Sequence, residues 1–255
     1  MAVVTHGKPE AIGDALARLE RVAVATDVEI VDEGNAADLA VVLGGDGTML
    51  RAFQRFLGTG VPVIGVNFGR VGFLTSIERS ELDEGIRRAF EGDFAVIELA
   101  TLEVDLGGDR RAAVNDVVVT STTLGRMIEL SWAIGGEDLG VMPCDGLVCC
   151  TPTGSTAYNL SNGGPVLVWG LDAMAVTFAA PHSLDARPLV IPRSRDLVIS
   201  NRTVDVSATV IIDGHSVREL PHDQSVTVRL SDLRCRLATL PERTFFRRYS
   251  ETFTP

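Results

Sequence analysis

The sequence has 255 residues, 45% hydrophobic and 5% aromatic, which suits a soluble globular protein with one large domain or two modest ones. Its formal net charge of −11 argues against nucleic acid and against an anionic membrane as partners. Residues 1–8 do not resemble a signal peptide, and the longest apolar stretch, 165–181, is too short to span a membrane. We therefore expect a cytoplasmic protein.

Strand and helix patterns alternate in the first part of the chain. Residues 8–20 have the apolar periodicity of a helix, and either 22–25 or 28–31 is expected to form a short strand. The next expected elements are strand 40–43, helix 48–57, strand 61–66 and helix 81–90. This alternation predicts a parallel, doubly wound α/β sheet, with ligands at the carboxyl ends of its strands.

After about residue 94 the pattern changes to the alternation typical of β-strands. The alternating segments are 95–99, 102–106, 128–134 and 204–210, with hairpin turns at 107–109 and 135–137. One helix is expected to start at Ser155. We therefore predict an α/β domain over residues 1–94 and a mainly β domain over residues 95–235.

A glycine-rich turn, Leu43-Gly44-Gly45-Asp46-Gly47-Thr48, follows the apolar run 40–42. Its glycines let phosphate oxygens approach main-chain N–H groups, and the helix that follows favours a bound anion. The turn lacks the Gly-Lys-Ser/Thr ending of a P-loop and the G-x-G-x-x-G of a dinucleotide turn. It could also be only a tight connection between strand and helix.

Four further segments stand out: Asn67–Leu74, Val114–Val119, Asp145–Tyr158 and Pro181–Pro188. The third contains Thr-Pro-Thr-Gly-Ser-Thr-Ala-Tyr (residues 151–158), which offers hydroxyls and an aromatic face at one turn. In this order, from about residue 36 to about residue 215, the segments resemble the NAD kinase family, in an archaeal-like form. The glycine turn alone is shared with lipid kinases and resembles one in phosphofructokinases, whereas its combination with residues 151–158 is specific.

The resemblance implies a two-part architecture and a reaction. Residues 1–94 would bind a nucleotide, residues 95–235 would bind a dinucleotide, and the tail 236–255 would return to the first domain. The γ-phosphoryl group of ATP, or polyphosphate as donor, would pass to the 2′-hydroxyl of the adenosine ribose of NAD, giving NADP. Family members form dimers or tetramers, so we expect a homodimer or homotetramer.

Asp46 is the candidate for the group that accepts the hydroxyl proton. With an unperturbed pKa of about 3.9, a carboxylate would orient the hydroxyl and take its proton late in the step. The alternative is that Asp46 only ties its own turn together. The phosphates would rest on N–H groups of Gly44, Gly45, Gly47 and Thr48 and on Mg²⁺ or Mn²⁺, and since no carboxylate cage is visible, we name no metal ligand.

Further residues match family positions that hold the dinucleotide. Asn115 and Asp116 stand where the family has an Asn-Glu pair, Arg126 matches a basic position, and His215 stands where the family often has glutamine. The remaining matches are Asp145, Thr153, Thr156, Ala157, Tyr158 and Ser161.

Several of these matches have an alternative. Asp116 is shorter than the family's glutamate, and a turn also favours Asn115 and Asp116. Arg126 could be solvated at a strand end, Tyr158 could be a core aromatic, and His215 could simply be exposed. Pro143 stands where family members usually have a basic residue, which puts one contact in doubt.

Cysteine and lysine usage gives two further expectations. The four cysteines lack C-x-x-C spacing, so we expect buried thiols and no zinc site, with Cys149 and Cys150 on opposite faces of a strand. Lys8 is the only lysine among the 23 Lys and Arg residues. This composition fits a salt-rich cytoplasm, and it equally fits the arginine codon bias of a GC-rich genome.

Two other functions stay open. The glycine turn would also suit a lipid or sugar kinase, which residues 151–158 and the Asn115–Asp116 pair argue against. A non-catalytic NAD(H)-binding sensor is a second alternative, which the intact Asp46 argues against. The sequence leaves the phosphoryl donor and the choice between NAD and NADH undecided.

Overall fold

The computed structural model describes residues 1–5, 12–31, 36–69 and 72–254. The chain divides into two compact units, the first formed by Met1–Glu98 with Cys235–Pro255 and the second by Leu99–Arg234. The C-terminal segment therefore belongs to the same unit as the N-terminal one. Within the described residues, no helix has the length and apolar content that crossing a membrane requires.

Helices and strands have the following bounds. The α-helices of the described residues are α1 (Ala15–Ala25), α2 (Asp46–Phe56), α3 (Leu82–Phe90), α4 (Tyr158–Ser161) and α5 (Phe245–Phe253), with 3₁₀ turns at Arg79–Glu81 and Gly154–Thr156. The strands are β1 (Ala2–Thr5), β2 (Ala40–Gly44), β3 (Val63–Asn67), β4 (Ile77–Glu78), β5 (Ala95–Asp105), β6 (Arg110–Ala113), β7 (Asp116–Ser121), β8 (Ile128–Ile134), β9 (Glu137–Cys144), β10 (Gly146–Cys150), β11 (Ala173–Ala179), β12 (Leu189–Pro192), β13 (Leu197–Asn201), β14 (Ala208–Ile212), β15 (His215–Leu220) and β16 (Ser225–Thr239).

The strands of the first unit pair in parallel. β2 lies between β1 and β3, with Ala40 opposite both Ala2 and Val63. β3 also pairs with β4, and Val63 lies opposite Leu237 near the end of β16. Since parallel neighbours need a crossover connection, α2 joins β2 to β3 and begins at the carboxyl end of β2.

Helices cover both faces of this sheet. On one face, Val41 of β2 is buried with Leu19 of α1 and Ile86 of α3. On the other face, a Cβ at Gly65 of β3 would lie 2.5 Å from the Sδ atom of Met49 in α2. The predicted doubly wound parallel sheet is therefore confirmed for the first unit.

The second unit is mainly β and antiparallel. One sheet has the strand order β12-β11-β10-β7-β14-β15, and a second group runs β16-β13-β8-β9. Both groups contribute to one core, Val119 and Leu147 from the first and Leu130 and Ile199 from the second. The predicted mainly β domain is confirmed, including the turn at 135–136 that joins β8 to β9.

Three predictions for the first unit are wrong or incomplete. Residues 22–25 form the last turns of α1, because Ala23 continues the buried side of the helix one turn after Leu19. Residues 28–30 form no strand, and Val31 makes an isolated bridge with Ala2 in β1, a strand that was not predicted. The predicted helix 8–20 is helical at Ile12, is interrupted by a turn at residues 13–14 and continues as α1 from Ala15, whereas residues 8–11 lie outside the described residues.

The second unit differs from the prediction at three places. Residues 95–105 form one strand instead of two, and the alternation over 204–210 becomes a strand only from Ala208, with Val204 81% exposed. The helix expected at Ser155 is a 3₁₀ turn followed by the four-residue α4. Gly163, with a φ of +74°, follows α4 and takes the chain out of helical geometry.

All four cysteines are buried thiols, as predicted. Cys149 lies in the main core of the second unit, whereas Cys150 packs with Leu167 and Ala175 on the other face of β10. Burial raises the pKa of the Cys144 thiol to about 12, so this thiol is protonated at neutral pH.

Candidate active site

The glycine-rich turn connects β2 to α2 in the first unit. Gly44 ends the strand, Gly45 is the N-cap residue, and the helix begins at Asp46. A Cβ on Gly44 would lie 2.4 Å from Oγ1 of Thr48, so this position must be glycine for the turn to close. The N–H groups of Asp46 and Gly47 have no acceptor inside the helix, whereas that of Thr48 donates to the carbonyl oxygen of Gly45 at 2.9 Å. With the helix dipole, this helix start forms a site suited to phosphate.

The carboxylate of Asp46 is held by a second loop. Its Oδ2 accepts a hydrogen bond from the N–H of Phe73 at 2.9 Å, and its Oδ1 accepts one from the N–H of Leu74 at 3.0 Å. Burial raises the pKa of Asp46 above its usual value, against the opposing effect of these N–H groups and of the positive charge of Arg248. A raised pKa makes Asp46 a stronger base than the free carboxylate assumed from the sequence.

The segment 67–74 thus contributes the partners of Asp46. Its residues Arg70 and Val71 lie outside the described residues. Gly72 precedes the two donors, and a Cβ there would lie 2.1 Å from Oγ1 of Thr75, so the loop is closely packed. The sequence singled out this segment but gave no sign that its main chain would bind Asp46.

In the second unit, residues 151–158 are fastened to the Asn115 segment. Oγ1 of Thr151 donates to the carbonyl oxygen of Val114 at 2.6 Å. The N–H of Thr151 donates to the carbonyl oxygen of Asn115 at 2.9 Å. A Cβ on Gly154 would lie 2.1 Å from the carbonyl oxygen of Asn115. The structure therefore brings these two predicted segments together.

Asp213 joins the same cluster from the turn between β14 and β15. Its carboxylate accepts hydrogen bonds from the N–H groups of Val114 at 2.8 Å, Asn115 at 2.7 Å and Asp116 at 3.1 Å. Its own N–H donates to the carbonyl oxygen of Asp116 at 3.1 Å. The sequence assigned no role to Asp213, and its left-handed backbone, with a φ of +46°, marks it as a special turn position.

Asp116 is buried beneath this cluster, opposite Cys150 on the neighbouring strand. Burial, with a further contribution from the negative charge of Asp213, raises the pKa of Asp116 to about 7. The side chain is therefore divided between its acid and carboxylate forms near neutral pH. As an acid it can donate a hydrogen bond, and as a carboxylate it can only accept.

Two buried polar atoms of the cluster lack a hydrogen-bond partner among the described residues. They are Oδ1 of Asn115 and Oγ1 of Thr153. Leaving such an atom unpaired costs on the order of 1–3 kcal/mol, so these atoms are well placed to be satisfied by a polar ligand.

The other predicted residues of this turn lie next to one another along the chain. Oγ1 of Thr156 donates to the carbonyl oxygen of Thr153 at 3.3 Å, and Ala157 precedes α4, which carries Tyr158 and Ser161. Tyr158 is 47% exposed, so the interpretation of its ring as a core aromatic is wrong.

Three predicted residues are held by contacts of their own. Arg126 is exposed and forms an ion pair with Asp205 at 2.6 Å. Asp145 is exposed between β9 and β10, where its carbonyl oxygen accepts a hydrogen bond from Oγ1 of Thr120. His215 is exposed, with Nδ1 3.0 Å from the carbonyl oxygen of Asp213, which places it beside the Asn115 cluster.

A glycine-rich turn that begins a helix after a parallel strand is the anion-binding element of nucleotide-binding α/β proteins. The model of the ATP-NAD kinase N-terminal domain matches residues 7–94, and that of the ATP-NAD kinase C-terminal domain matches residues 114–240. The chain therefore belongs to the NAD kinase family.

Individual relatives agree with this assignment. An NAD kinase of Heliobacterium modesticaldum is 41% identical over 241 residues, covering 92% of this chain and 85% of the relative. An NAD kinase of Thermobifida fusca is 36% identical, covering 89% of this chain and 73% of the relative.

Two solved structures share the fold. An NAD kinase from Archaeoglobus fulgidus in complex with ATP superposes with a TM-score of 0.84 and 26% identity, covering 100% of this chain and 98% of that one. A yeast NADH kinase complexed with NADH superposes with a TM-score of 0.86 over 98% of this chain and 86% of its own. At 21% identity, the latter supports the fold alone.

Proposed function

We propose that this protein is an ATP-dependent NAD kinase, which transfers the γ-phosphoryl group of ATP to the 2′-hydroxyl of the adenosine ribose of NAD and releases NADP and ADP. The observation that carries the proposal is the partly buried carboxylate of Asp46, fixed at the start of α2 beside amides suited to phosphate. Membership of the family supplies the reaction.

Asp46 acts as the base in this proposal. It orients the 2′-hydroxyl and takes its proton as the new P–O bond forms and the bond between the γ-phosphorus and the β–γ bridging oxygen breaks. Its raised pKa favours this role, because proton acceptance is more efficient when the pKa of the base approaches the working pH. Acid–base catalysis of this kind contributes on the order of 10²–10⁴ in rate.

The phosphates of ATP bind the main chain of Gly44, Gly45, Gly47 and Thr48, with the N–H of Thr48 shared with the carbonyl oxygen of Gly45. Gly47 is exposed, and a Cβ there would meet no atom within 4 Å, so the space above it is available to a ligand. The described residues contain no cluster of three His, Cys, Asp or Glu side chains suited to a metal. Mg²⁺ or Mn²⁺ would accordingly be bound by phosphate oxygens and water, and it would neutralise phosphate charge.

NAD binds the second unit through the cluster around Asn115 and Asp116 and through the turn that carries Thr153, Thr156, Ala157, Tyr158 and Ser161. The unpaired Oδ1 of Asn115 and Oγ1 of Thr153 support this assignment. Arg126, Asp145 and His215 complete the proposed contacts by their correspondence to family positions. The family also supports a cytoplasmic homodimer or homotetramer.

The test is a matrix of phosphoryl donors and acceptors, read out as NADP formation. ATP, other nucleoside triphosphates and polyphosphate are each paired with NAD and NADH, with and without Mg²⁺, and diacylglycerol and fructose 6-phosphate serve as control acceptors. We expect phosphorylation of the dinucleotide with ATP and a divalent cation. Phosphorylation of a control acceptor in place of NAD, or NAD binding without any turnover, would reject the proposal.

The same matrix is run at low and high KCl. Activity that requires molar KCl would support a salt-adapted protein, whereas full activity without added salt would leave codon bias as the explanation of the arginine-rich composition.

A further inference from the structure

Arg248 lies in α5, at the end of the chain, and is almost completely buried, with 3% of its surface exposed. A buried guanidinium requires several acceptors to offset its desolvation. Helix α5 begins after Thr244, whose Oγ1 accepts a hydrogen bond from the N–H of Arg247. This helix belongs to the same unit as Asp46.

The guanidinium of Arg248 donates to the loop that holds Asp46. Nη1 donates to the carbonyl oxygen of Phe73 at 3.0 Å and to that of Thr75, and Nη2 donates to Oγ of Ser76 at 3.1 Å. Nη2 also donates to Oγ1 of Thr239 at 2.8 Å, and Nε donates to the carbonyl oxygen of Arg243 at 3.1 Å. One side chain thus ties the loop 73–76 to the C-terminal segment.

A single peptide group connects Arg248 to Asp46. The carbonyl oxygen of Phe73 accepts from Arg248, while the N–H of the same peptide group, that of Leu74, donates to Oδ1 of Asp46 at 3.0 Å. In a trans peptide the C=O and N–H point in opposite directions, so the cation and the carboxylate bind opposite ends of one planar dipole. Each hydrogen bond polarises the peptide in the sense that strengthens the other.

Burial and the neighbouring charges shift the pKa values of both Arg248 and Asp46. Burial, with a contribution from the positive charge of Arg243, lowers the pKa of Arg248 to about 10, so it is still protonated at neutral pH. Arg243 forms ion pairs with Glu78 at 3.2 Å and Glu251 at 3.0 Å, which reduce its effect. The charge of Arg248 lowers the pKa of Asp46 and opposes the effect of burial.

We propose that Arg248 is a positioning residue for phosphoryl transfer: through the Phe73–Leu74 peptide it fixes the orientation of the Asp46 carboxylate. This inference rests on the proposed role of Asp46 as the base. It makes the C-terminal helix part of the catalytic apparatus, although Arg248 itself touches neither substrate.

Aromatic contacts that do not involve Arg248 also anchor the helix. The rings of Phe73 and Phe245 pack edge to face with centroids 5.6 Å apart, and those of Phe73 and Phe253 lie 6.1 Å apart. These contacts hold α5 against the same loop, so we expect variants of Arg248 to keep the helix in place.

The experiment compares Arg248→Gln and Arg248→Lys with Arg247→Gln, a matched control one residue away whose side chain is 57% exposed and paired with Glu251. For Arg248→Gln we expect kcat to fall at least about tenfold, with KM values for NAD and ATP changed less than about threefold. The acid limb of the pH profile of kcat should move to higher pH, because the charge that lowers the pKa of Asp46 is gone. Arg247→Gln should match the parent.

Arg248→Lys keeps a charge at the site but cannot reproduce the forked contacts, so we expect reduced kcat with an acid limb close to that of the parent. This variant also serves if Arg248→Gln does not fold. Parental kcat in either variant, or reduced kcat in Arg248→Gln with an unmoved acid limb, would overturn the inference. Asp46→Asn measured in parallel separates the two claims, since parental turnover there would reject Asp46 as the base itself.

Discussion

At the residue scale, Gly44 and Gly47 of the turn differ in the space that a side chain would have. Gly44 is required by the fold, because any Cβ would meet the side chain of Thr48. Gly47 is not, because a Cβ there would point into open space. The proposed phosphate over the turn would occupy this open space.

Gly47→Ala therefore separates folding from binding. We expect its free energy of unfolding to stay within about 1 kcal/mol of the parent. The KM for ATP should rise at least about tenfold, equivalent to about 1.4 kcal/mol, because the methyl group occupies the space proposed for phosphate. Gly44→Ala is the matched comparison and should lose about 1–3 kcal/mol of stability. An unchanged KM in Gly47→Ala would remove the turn from the phosphate site.

Asp116 gives a prediction on stability and pH. Its pKa is about 7 in the folded protein, against about 3.9 when unfolded, so between these values the folded state binds more protons and its stability falls as pH rises. Asp116→Asn removes this pH-dependent loss of stability. The variant should equal the parent below about pH 4 and be more stable above pH 7, by on the order of a few kcal/mol. Urea unfolding across this range measures the difference, with the exposed Asp185→Asn as control. A constant difference would contradict the raised pKa.

The chemistry of Asp46 could be predicted from its place in the glycine turn, but its environment could not. Its hydrogen-bond donors lie 27 and 28 residues further along the chain, and they are main-chain groups that carry no sequence pattern. Burial then alters the pKa that the sequence assigned by default. Asp213 was missed for the same reason, because the groups that donate to its carboxylate are also main-chain N–H groups distant in sequence.

At the scale of elements, the candidate dinucleotide site of the second unit is formed by loops from three places in the sequence. The Asn115 segment precedes β7, residues 151–158 follow β10, and Asp213 lies between β14 and β15. Since β7 pairs with both β10 and β14, their ends meet at one edge of the sheet. Pairing of these strands therefore explains why motifs separated in sequence become neighbours.

Asp213→Asn tests this assembly. The amide keeps one acceptor but turns an NH₂ group toward a main-chain N–H, so we expect a loss of about 1–3 kcal/mol in the free energy of unfolding. The KM for NAD should rise while the KM for ATP stays close to that of the parent. Asp223→Asn is the control, since Asp223 has a similar left-handed backbone, with a φ of +61°, and an exposed carboxylate. Equal effects of the two variants would argue against a role for Asp213 in the cluster.

Most elements could be predicted where periodicity and turn residues agreed. β2, α2, α3 and the turn between β8 and β9 are examples, because glycines or a clear apolar face mark their limits. β1 was missed because four residues without a preceding turn give too short a pattern. Residues 22–25 and 204–207 were misassigned because runs rich in valine and alanine resemble strands, and only tertiary packing decides whether they pair.

At the scale of the whole molecule, a chain with a net charge of −11 must bind two anionic substrates. In the first unit, Arg248 is buried and donates to the loop that holds Asp46, and in the second unit the exposed Arg126 is paired with Asp205. Main-chain N–H groups and a divalent cation consequently supply most of the attraction in the proposed mechanism. In that mechanism the turn of α2 needs no P-loop lysine.

The most direct measurement is the rate of NADP formation by the parent and by Asp46→Asn, at saturating NAD, ATP and Mg²⁺, with NAD affinity measured by calorimetry. The account predicts that the parent forms NADP and that kcat of the variant falls by on the order of 10²–10⁴, with NAD affinity nearly unchanged. Turnover of Asp46→Asn at the parental rate would contradict it.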